Sequence, residues 1–178
     1  MSQVLKVITL IALAVAGGSG CGYSLSGRGS FLPSYIKVIA VPQFANNTPI
    51  IDIERRLTDA VRSELIGRGR YKVLPGREQA SDAVLTGEIL QISVVPAAFD
   101  AQQRQTQVNV IVVTKVEFRD LKTDKVLWSH PALPITERYD VTTNVADAGL
   151  FLGQNANAMQ RLSNEFARAL VSAILEAF

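Results

Sequence analysis

The chain holds one cysteine, Cys21, and one histidine, His130. A zinc site built from protein ligands needs more nitrogen and sulfur donors than these two supply. His130 stands beside Pro131, where a lone imidazole serves as a surface or capping group far more often than as a base. Ser34-Tyr35-Ile36-Lys37 has the S-x-x-K spacing of acyl-enzymes. In those enzymes the motif opens a helix; here it leads into a β-branched run, so the spacing is coincidental. Neither a phosphate-cradling G-x-x-x-x-G-K-[ST] loop nor a G-x-S-x-G nucleophile elbow occurs. Asn46-Asn47-Thr48 fits a glycosylation sequon, but reads more simply as a helix cap. The expectation is a non-enzymatic binding or scaffolding domain, with no catalytic residue, metal or cofactor.

The chemistry left to Cys21 depends on what precedes it. Lys6 is followed by an apolar run from Val7 to Ala16 in which Thr9 is the one polar residue, then by small residues, then by the cysteine. Such a run is too short to span a bilayer, which takes about 20 apolar residues. It has the anatomy of a secretory signal with its processing site. Residues 1–20 are therefore expected to be a signal peptide that is removed. A lone cysteine in an exported chain has no internal disulfide partner. Gly18-Ser19-Gly20-Cys21 resembles the lipobox of bacterial lipoproteins, with Gly18 where a larger aliphatic residue is usual. The resemblance implies a diacylglycerol on the Cys21 sulfur and a further acyl chain, such as palmitate, on its amine. One chain binds a membrane only marginally, whereas two or more hold firmly. Gly22 is not the Asp that retains enteric lipoproteins in the inner membrane, so the same resemblance implies the outer membrane, with the domain facing the periplasm.

Residues 21–178 have the size of one domain, large enough for a core without disulfides. Basic and acidic residues number 18 and 16. This balance argues against general nucleic-acid binding, which needs a basic excess or stripe. No second long apolar run follows, so no transmembrane helix is expected.

Residues 21–35 are rich in Gly and Ser, as befits a lipidated N-terminus and tether turning into structure near Phe31. Ile36 to Val41 is a β-branched run closed by Pro42 and predicts a strand. A helix is expected from Pro49, capped by Thr48, with Ile50, Ile53, Leu57, Val61 and Leu65 as its apolar stripe and Arg62 on its solvated face. Gly67 and Gly69 should end it. Strands are expected at Tyr71–Leu74, Ala83–Val95 and Thr106–Phe118. A hairpin should return at Val126–Trp128, with Ile135–Val141 separated from it by Pro131 and Pro134. Val110 to Val113 is apolar on both faces, so the middle of that strand is buried on both sides or meets a partner. After an apolar knot at Leu150–Leu152, Asn155 should cap a terminal helix with its stripe at Met159, Leu162, Phe166, Leu170, Ala173 and Ala177. The order β-α-β-β-β-α predicts an α+β two-layer sandwich over 36–178, a mixed sheet of four to five strands with two helices on one face.

Cys21-Gly22-Tyr23-Ser24-Leu25, Leu32-Pro33, the strand Ile36–Val41, the helix Ile50–Leu65, the long strand pair and the closing helix together resemble the LptE family of lipopolysaccharide-assembly lipoproteins. The resemblance implies a protein that plugs and supports the large outer-membrane β-barrel LptD and assists lipopolysaccharide insertion, with direct lipopolysaccharide contact in some members. Phosphates favour Arg or Lys at loop tips, which makes Arg104, and more weakly Arg138, candidate contacts; the simpler reading of Arg104 is an ordinary solvated loop charge. A rival resemblance runs from Val38 to Thr48 and through Gly69-Arg70-Tyr71-Lys72-Val73-Leu74. It points to periplasmic lipoproteins of the LpoB and curli-secretion type, which activate murein synthases or form secretion pores, and covers only the first third of the domain.

If Cys21 is the acylated residue, Cys21→Ser should leave the leader uncleaved by lipoprotein peptidase and move the protein off the outer membrane. Mass spectrometry of the mature N-terminus checks this; an unacylated end in the native protein counts against it.

Overall fold

The computed structural model describes residues 32–76 and 80–177. Strand β1 is Val38–Ala40 and β2 is the two-residue Ala45–Asn46. Helix α1 is Ile53–Gly67, followed by β3 at Lys72–Leu74. Three long strands come next: β4 Ala83–Phe99, β5 Gln105–Asp120 and β6 Lys125–Asp140. A short helix α2, Ala148–Gln154, and a long α3, Ala156–Glu176, complete the order. One mixed sheet runs β3-β1-β4-β5-β6, with β2 beside β4. β1 is parallel to β3 and β4, while β4, β5 and β6 form antiparallel hairpins. The α+β sandwich is as expected. The sheet gains the small β2, and the apolar knot at Leu150–Leu152 becomes the extra helix α2.

The core lies between α1, α3 and the inner face of the sheet. Ile50, Ile53, Leu57, Val61 and Leu65 are all buried, as are Met159, Leu162, Phe166 and Leu170. Val171 and Ile174, rather than Ala173 and Ala177, complete the α3 stripe. From β5, alternate residues Val108, Val110, Val112, Thr114, Val116 and Phe118 meet the helices, as period-2 geometry requires. Burying each large side chain of this kind stabilises by roughly 1.5–3 kcal/mol. These two stripes therefore decide which sheet face is covered.

Strand β4 keeps its apolar residues inward by changing phase. Leu85 and Ile89 are buried, and Ile92 and Val94 pack against the same core. An odd-numbered and an even-numbered pair can share one face only if a residue is inserted. Leu90 is that residue: Ile89 pairs with Thr114 and Gln91 with Val113, a β-bulge. At Gly87 the Phe44 ring lies where a side chain would go, 2.7 Å from the position of an added Cβ. Phe44 then meets Phe166 edge-on at 6.4 Å.

Three local expectations are corrected. Helix α1 starts at Ile53, not Pro49, because Asp52 adopts a left-handed φ of 70° just before it. Thr48 instead closes the preceding loop: its hydroxyl donates to Asn46 Oδ1 at 2.8 Å. Arg62 is not merely solvated. Its guanidinium donates to the carbonyls of Val41 (2.8 Å) and Pro75 (3.1 Å) and so ties α1 to the ends of β1 and β3. Finally, Pro131 and Pro134 do not divide the last strand, which runs on through both. As an edge strand, β6 needs hydrogen bonds on one side only, so proline is tolerated.

A polar latch fixes the entry of the chain into the sheet. Asp82 accepts the backbone N–H groups of Lys37 and Val38, each at 2.9 Å, and pairs with Lys122 Nζ at 2.8 Å. Buried Asp120 accepts from Tyr35 Oη, from Lys122 N at 2.7 Å and from Thr123 Oγ1 at 2.7 Å. The Lys122 ammonium lies 5.0 Å from the Tyr35 ring centre. Asp82 is lowered to about 2, chiefly by the Lys122 hydrogen bond and the Lys37 N–H. At Asp120 burial opposes ionisation, but the bonds from Tyr35, Thr123 and Lys122 win and bring it to about 2 as well.

Two outcomes follow. Gly87→Ala forces Cβ into the Phe44 ring and should destabilise by about 1–3 kcal/mol in chemical denaturation. Both latch carboxylates sit below the unfolded value of about 3.9, so their contribution is fully present above that pH and disappears as pH falls from about 4 towards 2. Acid titration of stability should show this loss, and Asp82→Asn should reduce its amplitude.

Candidate functional site

Two helices cannot cover this sheet. At about 3.4 Å per residue the 17-residue β4 extends about 55 Å. At 1.5 Å per residue α3 reaches only about 32 Å. Among the described residues no element packs on the outer face of the three long strands, which is turned away from the helices, and the β4–β5 tip projects with Phe99 exposed.

The outer face has a consistent layout. In its middle, Ser93, Ile111 and Thr136 lie side by side across β4, β5 and β6, and so do Gln91, Val113 and Pro134. Val95, 38% exposed, continues the patch toward the tip. This centre carries no charge. Around it the charges are paired: Lys115 with Glu88 at 4.0 Å, and Arg119 with Glu117 at 2.9 Å and with Asp124 at 3.1 Å. At the other end Gln107 bonds Asp140 at 2.9 Å and Arg138 reaches Asn109 at 3.3 Å. An uncharged centre within a polar rim is the anatomy of a protein–protein interface. The apolar doublet at Ile111 and Val113 is the signal for it in the sequence: these two face outward while Val110 and Val112 face the core.

The residues picked out by sequence fall in different places. Arg104 closes the β4–β5 turn, its Nε pairing with Asp100 at 2.8 Å. Asp100 also accepts the backbone N–H groups of Gln102 and Arg104, each at 2.9 Å. The Arg104 backbone N–H is the foremost of the contacts that hold the Asp100 carboxyl below its ordinary range. Arg104 thus has a structural use, although its side chain stays 73% exposed. Arg138 lies beside Asn109 on the outer face, five residues along β5 from Arg104, about 17 Å away. The fold does not bring the two arginines together. His130 Nδ1 accepts the Ala132 N–H at 3.2 Å. Ser34 and Lys37 lie in the turn and approach before β1. Among the described residues no group of three or more His, Cys, Asp or Glu could hold a metal ion, and no helix is long and apolar enough to cross a membrane. Cys21 lies outside the described residues.

Fold and bare face define a one-sided α+β sandwich found in other bacterial proteins. PelC of Paraburkholderia phytofirmans, solved as a dodecamer, superposes with a TM-score of 0.53 at 18% identity, covering 84% of this chain and 95% of that one. An uncharacterised lipoprotein B from Nitrosomonas europaea gives 0.50 at 12% identity over 88% and 92%. A Xanthomonas campestris protein gives 0.50 at 12% identity over 82% and 88%. These likenesses show the fold. No curated protein sequence matches the chain. The family model for LptE, described as lipopolysaccharide-assembly, matches residues 36–174. The chain belongs to the LptE family.

With the Ile111 side chain on the outer face, Ile111→Glu should lower the unfolding free energy by no more than about 1 kcal/mol in chemical denaturation. A larger loss would mean that this face is packed against the chain itself.

Proposed function

We propose that this member of the LptE family is a non-enzymatic lipoprotein of the outer membrane, held at its periplasmic side by acyl chains on Cys21. There it sits inside an LptD-like β-barrel, supports it, and assists lipopolysaccharide assembly. The observation that carries this reading is the bare sheet face with its uncharged centre and paired rim. Large membrane barrels have polar lumens, and a face of Ser, Thr, Gln and a few apolar side chains matches such a wall better than it matches lipid. The rigid sandwich behind it suits a plug, because the packed helices keep the face from deforming. The rival murein-synthase or secretion reading rests on the first third of the domain, whereas the family match runs from residue 36 to 174. Direct lipopolysaccharide contact belongs to the same proposal: the Arg104 tip, and Arg138 on the outer face, would meet phosphate groups through charge-assisted hydrogen bonds.

The test is affinity purification of the native protein from detergent-solubilised membranes. A large outer-membrane barrel should co-purify with the wild type, and recovery should fall roughly tenfold or more for Ile111→Glu, which puts an unpaired charge into the contact. Recovery of a murein synthase in place of a barrel overturns the reading. In the same preparations Arg104→Ala should weaken lipopolysaccharide binding; an unchanged affinity removes that residue from the contact.

A further inference from the structure

Strand β6 is 16 residues long and, among the described residues, has a sheet neighbour, β5, on one side only. A free edge of that length, about 54 Å, is a template on which a second chain can add a strand. Its backbone is nevertheless interrupted at several points. Register shifts break it twice, at Leu127 and at Pro131-Ala132, where the partner residues on β5 are Phe118/Arg119 and Thr114/Val116. Pro131 and Pro134 have no N–H to offer. The N–H of Ala132, between them, is taken by His130 Nδ1 at 3.2 Å. Toward the far end the carbonyl of Arg138 accepts from Arg161 Nη2 at 3.1 Å, and the same Arg161 guanidinium lies 4.8 Å from the Tyr139 ring and pairs with Glu137. That carbonyl is reached from α3, so it faces the open side. Pro134 and Thr136 alternate in step with Arg138, so the missing proline N–H is also lost from the open side. The distal stretch of β4, beyond its pairing with β2, carries similar devices: Pro96 and two register shifts before Phe99.

We infer that His130, Pro131, Pro134 and Arg161 close the β6 edge to strand addition, which keeps a second copy of this chain from pairing along it. Resting on the barrel reading proposed above, the corollary is that the partner is met through side chains of the outer face, not by extending the sheet. His130 thereby gains a role that neither catalysis nor metal binding supplies: its imidazole occupies a backbone donor on an exposed edge.

The experiment uses the full domain with two sets of substitutions. His130→Ala with Arg161→Ala uncovers the Ala132 N–H and the Arg138 carbonyl without altering the strand backbone. Adding Pro134→Val restores a donor. Sedimentation equilibrium should show wild-type monomer over the concentration range in which the triple variant reaches at least twice the monomer mass. An intermolecular-strand band should appear in its infrared spectrum, with the double variant intermediate. Triple variant that stays monomeric with an unchanged circular dichroism spectrum overturns the inference, as does wild type that itself associates through strands. The two readings separate cleanly. Self-association of the variant together with no barrel recovered by wild type leaves edge closure standing and removes the plug. Monomeric variant together with a recovered barrel does the reverse.

Discussion

Packing of two helical stripes against one face of a long sheet is the constraint from which the rest of this molecule derives. Leu57, Val61, Leu162, Phe166 and Leu170 are buried between the two helices and the sheet, and the inward row of β5 from Val108 to Phe118 answers them. Because the helices are shorter than the strands and all lie on one side, the opposite face and the β4–β5 tip are left in solvent. The candidate functional surface is therefore what the core does not cover. The outward Ile111 and Val113 are only partly buried within the domain, and the rest of their apolar surface is available to a partner.

The charged residues serve geometry more than recognition. Asp82, Asp120 and Lys122 bolt the approach to β1 onto the beginning of β4 and the β5–β6 turn. Arg62 holds α1 across the ends of β1 and β3, and Asp100 shapes the β4–β5 turn with Arg104 as its counter-ion. The exposed pairs among these, such as Arg104 with Asp100, add little stability one by one, whereas buried Asp120 and mostly covered Asp82 hold backbone N–H groups at the start of the sheet. The polar rim of the outer face is thus largely neutralised within the chain, and the centre between is free of charge. This arrangement suits association through shape and modest apolar burial, with few charges to strip of water.

The family membership and the fold agree with one another at different resolutions. The sandwich is shared with proteins below 20% identity, so architecture alone says little about task. The surface of this chain carries overhanging hairpins, an uncharged patch, and an outer strand whose backbone is blunted at several points. On the barrel reading proposed above, a sheet that docks against another β-structure without fusing to it has to offer side chains and withhold hydrogen bonds, and the blunted β6 edge fits that requirement.

Much of this is legible in residue order. Period-3.6 stripes locate α1 and α3, period-2 alternation locates β5, and the glycines after Leu65 locate the end of α1, because these patterns report which local face is apolar. The doubly apolar centre of β5 marks an outward patch by the same logic, since one strand cannot turn both of its faces to a single helical layer. Other features depend on contacts distant in the chain. The phase change at Leu90 exists only because β5 supplies a fixed register against which a residue is extra. Asp52 ends up left-handed, and Thr48 turns to Asn46, because the loop must bring Ile50 into the core beside α2. Pro131 and Pro134 have the local chemistry of strand breakers, yet β6 has a neighbour on one side alone, where a lost N–H costs nothing to the ladder. Local chemistry thus set which segments could be helix, strand or leader; which side each presents, and which edge lies open, was decided only when strands far apart in the chain met.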